Sequence, residues 1–86
     1  MAKYEVAFKR SVYKDLRPIP NPDVKRILSR IRDLAEDPRP MGCEKLSGQE
    51  RYRVRQSVSR IIYAIEDNRL IVTAVKIAHR STVYER

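Results

Sequence analysis

The 86-residue sequence holds a single cysteine, Cys43, and a single histidine, His79. No intramolecular disulfide and no cysteine-rich zinc site can form from that set, so a metal held by protein side chains is not expected. The apolar runs are short, and none approaches the roughly 20 residues that cross a bilayer. Met1-Ala2-Lys3-Tyr4-Glu5 has no apolar signal-peptide core. Paired carboxylates, a glycine-rich phosphate loop and a nucleophile triad are all missing, as are repeats, flexible linkers and low-complexity segments. What remains is one domain over residues 1–86, expected in the cytoplasm, with no membrane contact and no small-molecule cofactor.

Charge is present in excess of one sign. Nineteen Lys and Arg residues stand against eleven Asp and Glu, a formal net charge of +8, in a chain that is 35% charged and 42% hydrophobic. The balance is that of a globular chain with a modest core. A basic excess of this size on a small domain favours a polyanionic partner, the plainer alternative being a Lys/Arg-rich solvated surface. The polyanion reading leads because several arginines fall on one expected face.

That face is built in the last third of the chain. Ile61–Ile65 and Leu70–Ile77 are apolar runs rich in Ile and Val, and read as strands. Asp67-Asn68 between them suits a two-residue hairpin turn, because both residues tolerate a left-handed backbone. That turn pairs Glu66 with Arg69, Tyr63 with Val72, and Ile61 with Ala74. Ile61, Tyr63, Ile65, Leu70, Val72 and Ala74 then share an apolar face. Arg60, Ile62, Ala64, Ile71, Thr73, Val75 and Ile77 share the other, which points toward His79. Tyr52–Gln56 alternates and reads as the preceding strand. With Ser57-Val58 as the loop, Arg55 lies opposite Arg60 and Val54 opposite Ile61. Arg53, Arg55 and Arg60 then share one face. Like charges placed directly across a strand pair are destabilising, so the cluster points to an anionic ligand.

Earlier in the chain, Tyr4–Phe8 alternates and reads as a first strand. Ser11 can cap a short helix carrying Val12 and Leu16. Asn21-Pro22 reads as a second helix start. Val24, Ile27, Leu28, Ile31, Leu34 and Ala35 then recur at helical spacing, and their stripe is expected against the apolar sheet face. Lys25, Arg26, Arg30 and Arg32 lie on the opposite face, as a solvated surface or, less simply, an RNA or partner contact. The expected order is strand, helix, helix, strand, strand, strand.

Taken in succession, Pro38-Arg39-Pro40-Met41-Gly42, Lys45-Leu46-Ser47-Gly48, Tyr52-Arg53-Val54-Arg55, Arg60–Asp67, Val75–Arg80 and Val83-Tyr84 resemble the RelE/ParE superfamily of toxins from type II toxin–antitoxin systems, and within it the RelE branch. The resemblance covers nearly the whole chain. It implies an α+β fold in which a small antiparallel sheet carries two N-terminal helices on one face. It further implies a toxin held inactive by a RelB-like antitoxin. Members of the RelE branch enter the ribosomal A site on the small subunit and cut the mRNA there, whereas ParE-like members poison DNA gyrase. An antitoxin bearing an acidic or amphipathic segment that wraps the domain is expected.

The resemblance also implies site residues for a metal-independent endoribonuclease. Arg60 matches the strand-start arginine on the scissile phosphate, and guanidinium donors suit phosphate oxygens; the competing role is a strand-end charge paired with a carboxylate. Arg80 matches a second arginine near the leaving group, or is a solvated charge. Tyr84 matches a tyrosine that stacks on a base or helps the proton step, or lies on the core. Arg53 and Arg55 stand where lysine is common; arginine keeps its proton, so they bind RNA. His79 is then the candidate base, since imidazole titrates near neutrality, though a histidine beside a strand end is commonly structural. Lys45 is expected on the RNA backbone, or is an ordinary loop lysine. Glu44, Glu66 and Asp67 are expected in turns and on the surface. One departure stands out: Gln56-Ser57-Val58-Ser59 replaces the usual glycine and aromatic, which is expected to alter the turn and shift Arg55 relative to Arg60, and which keeps open a degenerate toxin that only binds antitoxin or RNA.

Overall fold

The computed structural model describes residues 3–46, 48 and 50–79. Its elements are β1 (Glu5–Phe8), α1 (Arg10–Leu16), α2 (Asn21–Glu36), β2 (Glu44–Lys45), β3 (Arg51–Gln56), β4 (Ser59–Glu66) and β5 (Ile71–His79). The α+β class and the two-helix arrangement agree with the sequence reading, but a further short strand, β2, precedes the expected three, so the sheet has five strands rather than four. The strands form one sheet in the order β1-β5-β4-β3-β2. It is mixed rather than wholly antiparallel: β1 runs parallel to β5, and the remaining pairs are antiparallel. Parallel neighbours need a long connection, and both helices lie between β1 and the rest of the sheet.

The stripe on α2 is buried as its spacing requires. Ile27, Ile31, Leu34 and Ala35 are buried, Val24 and Leu28 partly so, in one cluster with Val54, Ile61, Tyr63, Val72, Ala74 and Ile77. Each large side chain buried there contributes about 1.5–3 kcal/mol. Neither expected capping bond forms. Asn21 is the first helical residue, preceded by Pro20, with Pro22 inside the first turn. Lys9, not Ser11, precedes α1.

Ser11 works sideways instead. β1 ends at Phe8, opposite Ala74, leaving the rest of that edge of β5 open. There α1 takes over: the Ser11 hydroxyl donates to the Val75 carbonyl at 3.3 Å, and the Asp15 carboxylate accepts from the Ile77 amide at 3.0 Å. Two ladder groups of β5 are thus satisfied by side chains, which blunts an edge that would otherwise invite strand pairing. Val12, on the inner side of α1, is fully buried.

The β3–β4 register is the expected one, with Arg55 opposite Arg60 and Val54 opposite Ile61. Ser57 makes this turn possible by adopting φ +57°, a left-handed conformation usually left to glycine or asparagine. The Gln56–Ser59 departure therefore does not shift the two arginines.

The β4–β5 register differs. Glu66 pairs with Ile71 and Tyr63 with Ala74, a displacement of two residues that keeps the apolar face intact near the turn. The connection is the longer Asp67–Leu70 turn, with Leu70 rather than Asp67 or Asn68 at positive φ, +56°. Farther along, the register shifts between Ile62 and Tyr63: Tyr63 pairs with Ala74 but Ile62 with Lys76, so Val75 is the extra residue of a bulge. Beyond it the faces of β5 exchange. Ile77 comes opposite Ile61 and His79 opposite Ser59, and all four are buried.

Candidate nucleic-acid interface

Alternation along β3 sends Arg51, Arg53 and Arg55 to one face while Val54 enters the core. Arg60 joins them as the cross-strand partner of Arg55, and Glu44 as the partner of Arg53. Glu44, Arg53, Arg55 and Arg60, with Gly42 from the preceding loop, line a shallow concavity of about 290 Å3. Gly42 holds φ +95°, a conformation in which a side chain is strained.

The charges of this cradle are unbalanced. Arg53 donates through Nε to Glu44 Oε1 at 3.1 Å and through Nη2 to the same oxygen. Arg55 and Arg60 are exposed and have no ion-pair partner among the described residues. The hydrogen bond from Arg53 holds the Glu44 carboxyl below its ordinary value, and the charges of Arg53, Arg55 and Arg60 add to that effect. Three guanidinium groups thus face one carboxylate. Such an arrangement can receive an oxyanion and match it with forked donors. Among the described residues it holds no group suited to accept a proton near neutrality.

The loop entering the cradle is fastened to the sheet. The Tyr63 hydroxyl donates to the Pro38 carbonyl at 2.6 Å, and burial raises the Tyr63 pKa. Arg39 meets the Asp67 carboxylate with two donors, at 2.9 and 3.3 Å, and donates to the Tyr52 hydroxyl at 3.2 Å. The Tyr4 hydroxyl completes the group by donating to Asp67 at 2.7 Å. Asp67 is held below its ordinary value by the hydrogen bonds from Arg39 and Tyr4. This clasp uses Tyr4 just ahead of β1, Arg39 of the α2–β2 loop, Tyr52 of β3 and Asp67 of the β4–β5 turn. The arginine of the Pro38-Arg39-Pro40 motif is thus structural here, and Asp67 is its counterion.

Of the other expected site residues, the two that are described, His79 and Lys45, lie away from the cradle. His79 pairs with Ser59, the neighbour of Arg60, so it lies on the opposite face of the sheet. Its Nε2 is 3.1 Å from Asp23 Oδ2 in the first turn of α2, and its side chain is buried. The face that carries the arginines does not point toward His79, because the bulge at Val75 turns it over. Lys45 pairs with Tyr52 and so falls on the face opposite Arg53, beside Glu50 at 3.6 Å. Arg80 and Tyr84 lie outside the described residues. Arg51, which shares the face of Arg53 and Arg55 without lining the concavity, and the cradle residue Glu44 have no site role expected from sequence. Arg51 was accessible to the same period-two argument that found Arg53 and Arg55. Glu44 had no signal of its own, since its role depends on β2 pairing with β3. Among the described residues, no group of three or more His, Cys, Asp or Glu could hold a metal ion, and no helix is long and apolar enough to cross a membrane.

Two helices on a five-strand mixed sheet make an α+β fold of the RelE toxin class. A sequence model of the ParE toxin of type II toxin–antitoxin systems (parDE) matches residues 6–84. The chain therefore belongs to the ParE toxin family of type II toxin–antitoxin systems, within the RelE/ParE superfamily. Solved structures agree in fold. The toxin–antitoxin complex RelBE2 from Mycobacterium tuberculosis matches at TM-score 0.82 and 22% identity, over 91% of this chain and 99% of that one. The archaeal RelE–RelB complex from Pyrococcus horikoshii matches at TM-score 0.80 and 26% identity, over 91% and 96%. A YoeB/ParE toxin from Agrobacterium tumefaciens matches at TM-score 0.72 and 17% identity, over 88% and 98%. A search of curated proteins finds no match.

Proposed function

We propose that this toxin is a metal-independent, ribosome-dependent mRNA endonuclease that inhibits translation. The observation carrying the proposal is the opposed, unneutralised pair Arg55 and Arg60 at the mouth of the cradle. In the proposed reaction the ribose 2′-hydroxyl attacks the adjacent phosphorus. The new O2′–P bond forms as the P–O5′ bond breaks, giving a cyclic phosphate and a free 5′-hydroxyl. Arg60 and Arg55 hold the non-bridging oxygens and balance the charge of the phosphorane, as preorganised donors do most effectively. Arg53 and Arg51 extend the contact along the RNA backbone. Proton transfer falls to Tyr84 or to ribosomal groups, with Arg80 balancing charge near the leaving group, and not to His79, which is turned to α2. Dependence on the ribosome follows from a cradle that binds without a complete acid–base pair. Partners under this reading are a RelB-like antitoxin, the small ribosomal subunit and A-site mRNA, all in the cytoplasm.

A second reading, a ParE-like inhibitor of DNA gyrase, draws support from two observations. The matching family is that of parDE toxins, and among the described residues no base faces the arginines. Two assays run side by side separate them. The endonuclease reading predicts arrest of cell-free translation with gyrase supercoiling untouched. Inhibited supercoiling with translation intact would overturn it in favour of the second.

A further inference from the structure

The cradle contains its own anion. Among the described residues Glu44 is the single carboxylate lining the concavity, and it engages Arg53 through two guanidinium nitrogens on one oxygen. It sits on β2, a strand of two residues at the edge of the sheet, where its side chain is 63% exposed. Its neighbour across the strand pair is Arg53, and beyond that the row continues to Ile62. No hydrogen bond other than those from Arg53 holds its side chain among the described residues. The carboxylate thus occupies donors that a phosphate would use, and little besides the ion pair fixes it there.

We infer that Glu44 is a displaceable counterion that fills the phosphate position of the cradle and sets how tightly the toxin grips single-stranded RNA. The inference rests on the proposed RNA reading and adds a specificity-determining residue to it. The physical case is one of competition. An exposed ion pair is weak, so a phosphodiester that brings further contacts to Arg55 and Arg60 can push the carboxylate aside. A lone anion that contacts Arg53 only gains nothing over Glu44. The carboxylate also lowers the positive potential of an otherwise fully cationic pocket, which suppresses non-specific polyanion binding. The retained affinity is then reserved for RNA presented in a fixed geometry.

The experiment measures binding of a fluorescein-labelled single-stranded oligouridylate to the full chain by anisotropy, across a salt series. The unaltered protein is compared with Glu44→Gln, Glu44→Ala and Arg60→Ala. The account expects both Glu44 variants to bind about three- to tenfold more tightly at low salt. It also expects the slope of log K against log salt to steepen by about 0.7, the contribution of one further neutralised phosphate on a single strand. A merely structural Glu44 would not steepen that slope. Unchanged or weaker binding by both Glu44 variants, alongside a loss in Arg60→Ala, overturns the inference and leaves the cradle as the RNA site. Unchanged binding by Arg60→Ala overturns the RNA reading itself, and the inference with it. Because Glu44 is exposed on an edge strand, thermal unfolding of its variants is expected to match the parent.

Discussion

Arg55 and Arg60 are direct cross-strand partners in the β3–β4 hairpin, both exposed and neither with an ion-pair partner among the described residues. Two like charges in that relation cost stability, of the order of 0.2–1 kcal/mol. Replacing one should therefore stabilise the fold. Arg60→Gln is expected to raise unfolding stability by up to about 1 kcal/mol while sharply reducing toxicity, the trade expected where function maintains strain. Chemical denaturation alongside growth inhibition in cells checks both halves. A variant that loses stability would mean that Arg60 is paired in solution.

His79 separates a structural role from a chemical one. Its buried ring contacts Asp23 in the first turn of α2 and so joins the end of β5 to that helix. Truncation to alanine removes the hydrogen bond and leaves a void, a loss of about 1–3 kcal/mol. His79→Ala is expected to unfold at lower urea but to bind RNA like the parent at temperatures where it is folded. Selective loss of RNA binding with stability retained would instead return His79 to the site.

The clasp around Asp67 predicts a stability window in pH. The Asp67 carboxyl is held below its ordinary 3.8, first by Arg39. Its contribution is therefore full above that value and lost as pH falls through the lower, folded one. Tyr4 has the opposite sign: its hydrogen bond to Asp67 raises it above 10.0. That contribution is full below about pH 10 and fades as pH rises through the raised value. Urea midpoints should hold between these limits and fall beyond each. Asp67→Asn should flatten the acid limb, and an unchanged acid limb in that variant would remove Asp67 as its cause.

Tyr63 connects core and site. Its hydroxyl is the donor to the buried Pro38 carbonyl, at the start of the loop that delivers Gly42 and Glu44. Tyr63→Phe leaves that carbonyl unsatisfied and should cost about 1–3 kcal/mol. Amide exchange around residues 38–43 should accelerate while the β4–β5 amides stay protected. Uniform acceleration across the sheet would show that the bond supports the whole fold rather than the loop.

The legible parts of the sequence were those governed by short-range periodicity. The α2 stripe from Val24 to Ala35 and the alternation in Tyr52–Gln56 placed the core and two of the arginines, Arg53 and Arg55, correctly. Even the Arg55–Arg60 register followed from the loop position alone. The β4–β5 pairing did not, because two features outside the local pattern set it. A leucine, Leu70, takes the left-handed position in the turn, where Asp67 and Asn68 were the better candidates. A bulge at Val75 then exchanges faces without a glycine or proline to announce it. That bulge moves His79 from the arginine face to the helix face, which no count from the turn could foresee. Ser11 and Asp15 were equally opaque. Their partners, Val75 and Ile77, lie more than 60 residues away.

The central claim is that Arg60 and its neighbours hold a phosphate of A-site mRNA during cleavage. Primer extension on mRNA bound to programmed ribosomes tests it most directly, comparing the toxin with Arg60→Ala and with a ribosome-free control. The account predicts a stop within the A-site codon for the toxin, its loss in Arg60→Ala and no cut without ribosomes. Full-length message from ribosomes exposed to folded toxin, or an undiminished stop in Arg60→Ala, would contradict it.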